Sequence, residues 1–495
     1  MTKQTLTPAA IAFHRFGLGA SMGETVTPDV RQSIYDQFDR YEAMPTVIER
    51  LPDGGALLAT YLADRRDARR SITNKSTSVP LIPKQNNGTA SPAALESKKA
   101  NGSSRRINSR SATRRDSSQD VRALYRRATQ ARMASAIQTH APFVERMVHF
   151  WTNHFCVSAG NLHTLALVGA FEFDAIRPHV LGRFVDMLVA AEQHPAMLLY
   201  LNQTQSIGPG SAVARRARER DAFRQRGLNE NLAREVMELH TLGVRSGYTQ
   251  DDVTQFAKAL TGWSVSGLNG VSDAEAIDFR FRPHEHEPGA RMIVGKTFAQ
   301  NGVRQGEAAL AAFAEAPQTA LHVATKLARH FAGDSPPRAL VDRLYVSFTS
   351  SGGDLSKLYC TLIESHETWV EYPVKFRSPW DWSVAVLRLL GADVLERVQT
   401  ANILDQLGQP VWKAGSPAGW DDLDASWAAP NALLRRVEIA QLLASMASDG
   451  IDVVRVGERL FPGSLDPATA RQVMHADSSA TALALLLVSP NMLRR

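Results

Sequence analysis

Apolar residues recur at helical spacing over most of the chain. Val253, Phe256 and Leu260 lie at the i, i+3, i+7 positions of one helix face, with Thr249 and Asp252 just before them. A Thr followed three residues later by an acid resembles a capping box, which satisfies the first free amide groups of a helix. The pattern therefore predicts a helix that begins near residue 250 and buries one face.

Two further helices are predicted at residues 320–331 and from residue 340 onward. Their apolar positions are Ala320, Val323, Ala324, Leu327, Ala328 and Phe331 in the first, and Leu340, Leu344 and Val346 in the second. Pro336-Pro337 separates the two, because proline cannot continue a helix. Asp354 is the expected N-cap of the next helix, whose apolar positions are Leu355, Leu358, Leu362 and Ile363.

Strand patterns are scarce. Residues 277–282 (Ile-Asp-Phe-Arg-Phe-Arg) alternate strictly between apolar and polar, and Met292-Ile293-Val294 follows after a loop with Pro288 and Gly289. Such alternation is typical of a half-buried strand. We therefore expect a small β-hairpin near residues 277–297 on an otherwise helical body.

The composition changes abruptly between residues 71 and 120, which are rich in Ser, Asn, Arg and Lys. Residues 61–120 hold 13 Lys/Arg and 5 Asp/Glu, a net charge of +8, so the rest of the +6 chain is at −2. This segment is expected to be a disordered insertion, either a solvated loop or a tether for polyanions or a partner. No aromatic residue lies within 71–120 to stack on bases, so nucleic acid is not an expected partner.

The predicted fold class is mainly α, a single large helical domain with a small hairpin and one long disordered insertion. Residues 1–70 and 121–495 form the helical core, and 71–120 interrupt it. Two cysteines, Cys156 and Cys360, are too few for a disulfide scaffold. No apolar run is long enough to span a bilayer, and the first residues show no secretory signal, so a soluble cytoplasmic protein is expected.

One polar stripe follows residues 145–155. Glu145, His149 and Asn153 lie one helical turn apart, among Phe150, Trp151 and Phe155. His154 falls on the side of the large apolar residues, a position typical of a core histidine. A stripe embedded among aromatic residues favours a functional role, and His149 is the candidate catalytic residue on it.

The densest polar segment is Asn229–Gly243. Glu235 and Glu238 are its candidate catalytic acids, because neighbouring carboxylates can hold a cation or tune the pKa of one another. The alternative is an ordinary exposed face with weak Glu–Arg pairs. Other polar-cleft candidates are Asn229, Glu230, Asn231, Arg234, His240, Tyr248 and Trp263, of which Trp263 is more typical of core.

His284 and His286 lie in the sequence Pro283–Gly289, within the predicted hairpin loop. In an extended segment, residues two apart point the same way, a spacing that zinc and iron sites use. They are candidate metal ligands, with ordinary surface histidines as the alternative. A divalent metal is the only cofactor class that the residues suggest.

Several motifs together resemble one known family. They are Arg15-Phe16-Gly17-Leu18-Gly19, His149–Phe155, Asn229–Glu235, Gly247–Gln250 with Leu260–Trp263, Gly419-Trp420 and Pro490–Arg495. In this order they are similar to the large bacterial family called domain of unknown function 1800. The resemblance spans nearly the whole chain, skips the insertion and brings no established activity. It implies that an envelope or periplasmic location is an alternative, and that a protein of the neighbouring-gene family, domain of unknown function 1501, is a partner candidate. The loop here reads His286-Glu287-Pro288-Gly289, whereas the family usually has His-Asp-x-Gly.

The motifs at 145–155, 229–243 and 283–289 are expected to converge on one cleft. The leading hypothesis is a metal- or carboxylate-dependent enzyme. Its alternatives are a non-catalytic binding or assembly protein that docks a partner, and a polyanion binder that uses the basic insertion.

Overall fold

The computed structural model describes residues 5–21, 23–76, 101–219, 227–268, 276–447 and 451–495. Helices dominate these residues, and the mainly α fold class is confirmed. Buried apolar side chains from Leu6 to Met492 form one contiguous core.

The elements follow the chain as a long series of helices with four short strands. The first helices are α1 (Pro8–Ile11), α2 (Val30–Arg40), α3 (Thr46–Glu49), α4 (Gly54–Ser76), α5 (Asn101–Gln138), α6 (Pro142–His154), α7 (Leu162–Ala170), α8 (Phe184–Gln193), α9 (Pro195–Tyr200), α10 (Ala212–Glu219), α11 (Asn231–Glu235) and α12 (Gln250–Ala259). The strands are β1 (Trp263–Val265), β2 (Phe279–Phe281), β3 (Arg291–Ile293) and β4 (Lys296–Phe298).

The C-terminal part is again helical. It contains α13 (Val303–Ala314), α14 (Pro317–Ala332), α15 (Arg338–Ser351), α16 (Leu355–Glu364), α17 (Pro379–Leu390), α18 (Ala392–Arg397), α19 (Thr400–Gln406), α20 (Asp424–Trp427), α21 (Pro430–Met446), α22 (Val453–Leu460), α23 (Pro467–Met474), α24 (Ser479–Leu487) and α25 (Pro490–Leu493). Within the described ranges, no helix is both long and apolar enough to cross a membrane.

The helices predicted from periodicity form as expected. Thr249 and Asp252 make the capping box of α12, and Asp354 accepts a hydrogen bond from the backbone N–H of Lys357 as the N-cap of α16. All six apolar positions predicted in α14 are buried. Val346 differs, since its side chain is 58% exposed. It lies two residues, or about 200°, from the buried Leu344, which places it on the outer face of α15.

The predicted hairpin pairs its strands differently. β2 is antiparallel to β1, with Trp263 opposite Phe281 and Val265 opposite Phe279, while β3 pairs with β4. The expected pairing of 277–282 with 292–294 is therefore wrong. Alternation identified the strand β2 correctly, but it does not specify the partner, and the short segment Trp263–Val265 is buried throughout and shows no alternation.

The predicted insertion at 71–120 lies partly outside the described residues, which exclude 77–100. The helices on either side extend into it, because α4 ends at Ser76 and α5 begins at Asn101. The two helices that flank residues 77–100 pack against each other.

Candidate functional site

A cavity of about 290 Å³ lies between α6, α14, the start of α17 and residues 409–427. Its charged lining residues are Arg132, Arg146, Lys326, Arg329, Lys375, Arg495, Asp381, Asp421 and Asp422. Its aromatic and histidine lining residues are Phe150, Phe376, Trp380, Trp412, Trp420, Trp427, His149, His154 and His330. The volume is at the small end of the range of small-molecule sites, about 300 to 1,000 Å³.

The polar stripe of α6 holds one wall of this cavity in place. Glu145 is fully buried and forms a two-point ion pair with Arg177, at 2.7 and 2.9 Å. One turn later, Nδ1 of His149 accepts a hydrogen bond from the indole N–H of Trp380 (3.1 Å). The other ring nitrogen, Nε2, lies 3.7 Å from Glu145. Nε2 is buried without a hydrogen-bond partner among the described residues, while the bond at Nδ1 lets His149 orient Trp380.

The last residue of the stripe, Asn153, holds the opposite wall. Its side-chain amide donates to the backbone carbonyl of Trp420 (2.9 Å) and accepts from the N–H of Trp420 (2.7 Å). The preceding residue, Gly419, has φ +82°, and a Cβ there would lie 2.4 Å from the Asn153 carbonyl oxygen. Only glycine allows this close approach, which explains the Gly419-Trp420 motif.

Half of the eight tryptophans in the chain line the cavity, namely Trp380, Trp412, Trp420 and Trp427. The guanidinium of Arg132 lies 4.1 Å from the ring centroid of Trp380 and 5.3 Å from that of Trp412. Glu172, buried behind them, pairs with Arg132 (2.8 Å) and accepts from the indole N–H of Trp412 (2.9 Å). Trp412 also has φ +52°, a strained conformation for a non-glycine residue.

Two aspartates neutralise part of the positive charge. Asp381 lies 2.8 Å from Nη2 of Arg146 and 2.9 Å from Nε of Arg495. Burial alone raises the pKa of Asp381, but the two arginines outweigh it and hold that pKa well below its ordinary value. Asp422 contacts Lys375 (3.3 Å), and its pKa is lowered in the same way by His330 and Lys375.

His330 connects these two charged groups as a neutral imidazole. Its Nδ1 donates to Asp422 (3.1 Å), and its Nε2 accepts from Nη2 of Arg495 (3.2 Å). Burial lowers the pKa of His330 to about 4, so the ring carries no charge at pH 7. The tautomer follows from these partners.

Lys326 of α14 has a histidine ring as its hydrogen-bond partner. Its Nζ lies 3.0 Å from Nδ1 of His154, and Nε2 of His154 donates to the backbone carbonyl of His240 (3.0 Å). Nδ1 of His154 is therefore an unprotonated acceptor. Burial, more than any neighbouring charge, lowers the pKa of Lys326 to about 8, and burial together with Lys326 holds the pKa of His154 well below 6.5.

Arg329 lies one helical turn from Lys326 and also lines the cavity. Its Nε is buried without a hydrogen-bond partner. Over the ranges that the structure describes, neither Lys326 nor Arg329 has a carboxylate within the ion-pair distance of 4.0 Å. With six Lys/Arg against three Asp, the lining has a net charge of +3 when its histidines are neutral.

The predicted site residues of 229–243 lie outside this cavity. Glu230 pairs with Arg234 (3.1 Å) and accepts hydrogen bonds from Gln250 and Thr254, as in the alternative of an exposed polar face. Asn229 donates to two backbone carbonyls, and its Oδ1 accepts from the N–H of the exposed Asn231.

The two candidate acids are half-buried near Tyr248. Burial and the charge of Glu238 raise the pKa of Glu235, although His240 opposes them, and burial together with Glu238 raises the pKa of Tyr248. His240 is fully buried, and its Nδ1 lies 2.7 Å from Oε1 of Glu192. The backbone carbonyl of His240 accepts a hydrogen bond from Nε2 of His154, which lines the cavity. This bond connects the segment 229–243 to the cavity lining.

The two candidate metal ligands, His284 and His286, have different surroundings. Pro283–Glu285 forms a short 3-10 helix, so the extended backbone assumed for His284 and His286 is absent. His284 is exposed, while half-buried His286 donates from Nδ1 to the carbonyl of Thr261 (2.9 Å). Trp263 is buried in the core, in agreement with the expectation that it is a core residue. Among the described residues, no three His, Cys, Asp or Glu side chains are arranged to hold a metal ion.

Sequence reasoning missed Lys326, Arg329 and three of the four cavity tryptophans, and it found Trp420 only as part of the Gly419-Trp420 motif. One signal was available, since Lys326, Arg329 and His330 share the i, i+3, i+4 spacing on the face of α14 next to its apolar stripe. The tryptophans of 380–427 give no comparable signal, because their convergence depends on how the helices pack.

Comparison with known proteins gives one result. The family model described as "Protein of unknown function (DUF1800)" matches residues 11–494. No curated protein and no solved structure matches the sequence significantly. Since the match covers nearly the whole chain, the protein belongs to the DUF1800 family.

Proposed function

We propose that this protein is an enzyme that binds a small organic anion in the 290 Å³ cavity and acts on it by acid–base chemistry. The proposal rests on one observation above all. Lys326 and Arg329 line the cavity as two cations without a carboxylate partner in the described part of the chain.

Unpaired cations are costly when they are partly withdrawn from water. Each remaining positive group of the lining has its own acid: Arg132 has Glu172, Arg146 and Arg495 share Asp381, and Lys375 has Asp334 and Asp422. A bound carboxylate or phosphate would supply the missing counter-charge for Lys326 and Arg329.

The aromatic lining favours a ligand with a flat or ring-shaped body. Trp420 and Trp427 lie 6.0 Å apart between ring centroids, opposite the Trp380 and Trp412 pair in the lining. Indole rings bury large apolar area and have N–H groups for hydrogen bonding. An acidic sugar or an aromatic acid has the matching chemistry.

The residues predicted from the sequence take different places in this proposal. His149 becomes a positioning residue for Trp380, and acid–base chemistry passes to Lys326 with His154. Glu235 and Glu238 belong to the segment of His240, whose backbone carbonyl accepts a hydrogen bond from His154. A metal-dependent reaction at His284 and His286 would need donors from elsewhere, because these two residues do not share a face.

The two other hypotheses stay predictions. Polyanion binding depends on 71–120, of which 77–100 lie outside the described residues. Docking of a partner protein, including one from the neighbouring-gene family, depends on the exposed face around Glu230 and Arg234.

The test is a thermal-shift screen of the full chain with malonate, benzoate and glucuronate, each compared with its neutral amide. Arg329→Met removes one unpaired cation, and Arg338→Met, on the exposed surface of α15, is the matched control. We expect at least one anion to raise the melting temperature of the wild type and of Arg338→Met, and to lose most of this effect in Arg329→Met. Equal shifts with the amides, or an unchanged shift in Arg329→Met, would contradict the proposal.

A further inference from the structure

We infer that Lys326 is a nucleophilic amine that forms an imine with the carbonyl carbon of an anionic aldehyde or ketone bound in the cavity. This inference rests on the proposed function, since it requires that the cavity admits an organic anion. It adds the substrate class, an aldehyde or keto acid, and the atom that attacks it.

The surroundings of Lys326 leave its nitrogen available for attack. A lysine in an ion pair is held as an ammonium group, which has no lone pair to donate. Lys326 has no carboxylate within 4.0 Å in the described ranges, and its recorded hydrogen-bond partner is the imidazole of His154. Lys326 lines the cavity that also holds the aromatic walls.

His154 is oriented to take a proton from Lys326. Its Nε2–H donates to the carbonyl of His240 at 3.0 Å, which fixes the tautomer and leaves the lone pair of Nδ1 directed at Nζ, also at 3.0 Å. A ring with this tautomer accepts at Nδ1 and cannot donate there. The buried His240 is itself held by Glu192 at 2.7 Å, so the acceptor geometry is supported from behind.

Burial favours the neutral amine of Lys326 and outweighs the neighbouring charges. Asp422 and Cys156 favour the ammonium form, and Arg329 disfavours it. With a pKa of about 8, a minor fraction of Lys326 is neutral at pH 7, far more than of an ordinary lysine. Desolvation and a neighbouring cation are established ways to activate a lysine for this chemistry.

The reaction balances without an oxidant or a reductant. The amine lone pair forms a C–N bond to the carbonyl carbon as the C=O π pair moves onto oxygen. Nδ1 of His154 takes one proton from the nitrogen of this adduct, and the same proton is then delivered to the oxygen, giving a neutral carbinolamine. Loss of one water molecule then leaves a C=N bond between Lys326 and the substrate. Once protonated, this imine withdraws electrons from an adjacent C–H or C–C bond.

Arg329 gives the reason for an anionic carbonyl compound rather than a neutral one. It lies at i+3 from Lys326 on the same face of α14, so the two groups contact neighbouring parts of one small ligand. A guanidinium binds a carboxylate through two parallel hydrogen bonds. The carboxylate of an α-keto or α-aldehydo acid is separated from its carbonyl carbon by a single bond, which suits a guanidinium and an amine one helical turn apart.

The test uses the full chain with glyoxylate as the probe and sodium borohydride to trap the imine, followed by peptide mapping. Exposed Lys357 provides the internal reference. At pH 7.5 we expect Lys326 to be labelled at least about tenfold more than Lys357, because an ordinary lysine with a pKa of about 10.4 is almost entirely protonated. Labelling at Lys326 should be absent in Lys326→Arg and reduced several-fold in Arg329→Met.

The outcomes separate the inference from the proposed function. If anions stabilise the protein but Lys326 is labelled no more than Lys357, the inference is wrong and the anion site remains. If propionaldehyde labels Lys326 as well as glyoxylate does, the anionic substrate class is wrong. If no anion binds in the thermal-shift screen, the proposed function fails. Labelling of the wild type does not depend on whether any variant folds.

Discussion

The side chain of Asn153 forms two hydrogen bonds with the backbone of Trp420, at 2.7 and 2.9 Å, and so joins α6 to a loop 267 residues further along the chain. One turn earlier on the same helix, His149 accepts from the indole of Trp380. The polar stripe of α6 thus determines the positions of two aromatic walls. Its role is to shape the cavity, while the cationic groups come from α14.

Asn153→Ala should loosen the wall that contains Trp420. Removing both hydrogen bonds leaves the backbone groups of Trp420 unpaired, so the free energy of unfolding should fall by about 1 to 3 kcal/mol. Stabilisation by the best anion of the screen should fall as well. Asn402→Ala, at an exposed position of α19, is the control. Chemical denaturation measures the first effect, and an unchanged anion shift would show that this wall does not contribute to binding.

Gly419→Ala tests the close contact between α6 and the same loop. Gly419 and Gly408 both have φ +82°, but a Cβ at 419 would lie 2.4 Å from a backbone oxygen, whereas nothing lies within 4 Å at 408. Gly408→Ala should cost about 1 to 2 kcal/mol, which is the strain of this backbone conformation alone. Gly419→Ala should cost clearly more. Equal losses of unfolding free energy would mean that the loop moves away without cost.

Lys326→Met should stabilise the protein at pH 7. The pKa of Lys326 is about 8 in the folded state, below the ordinary value of about 10.4, so between these values the unfolded chain binds more protons. Stability therefore rises as pH increases through that window, and the full cost is present below pH 8. We expect a gain of about 1 to 2 kcal/mol at pH 7 that disappears near pH 10.5, after discounting for solvent screening.

The control for this variant is Lys357→Met, whose side chain is 70% exposed. It should change stability little at either pH. Urea denaturation of both variants at pH 7 and pH 10.5 makes the comparison. A loss of stability at pH 7 for Lys326→Met would show that interactions of the ammonium group outweigh the cost of its burial.

The protein should unfold readily in mild acid. Six buried histidines have pKa values lowered to about 4, to about 3 or well below 6.5, chiefly by burial: His14, His149, His154, His194, His322 and His330. As pH falls from about 6.5 toward 4, the unfolded chain takes up protons that the folded state does not, so stability is lost.

His194→Asn tests how much one of these histidines contributes to the loss of stability in acid. Nδ1 of His194 accepts from the N–H of Ala196 at the start of α9, and Asn is also a good N-cap residue. Between pH 6.5 and 5, the slope of the unfolding free energy against pH should decrease by the contribution of about one bound proton. His366→Asn, at a side chain that is 81% exposed, is the control. Identical slopes for the two variants would contradict the assignment.

Local features of the fold could be predicted from the sequence, because helices depend on periodicity and caps. The apolar face of α14 and the capping box of α12 are examples. Strand pairing could not be predicted, since β2 has three residues and its partner β1 is equally short. Such short ladders are determined by tertiary packing and not by the alternation of their own side chains.

The site was predicted only in part, for a related reason. The polar stripe of α6 was found because its spacing is regular, but its role was not. Lys326 was not among the predicted site residues, because only the apolar positions of its helix were identified. Whether a lysine outside those positions meets solvent or a cavity depends on Trp412 and Trp420, which lie about 90 residues away.

The most direct test of the central claim measures the titration of Lys326 itself. Competitive labelling with acetic anhydride between pH 6 and 11 gives the apparent pKa of each lysine from the pH dependence of its rate. We predict an apparent pKa of about 8 for Lys326 that rises when an anion such as malonate is bound, but not with malonamide, while exposed Lys357 serves as the internal reference. A Lys326 value near 10.4 that no anion changes would contradict the account.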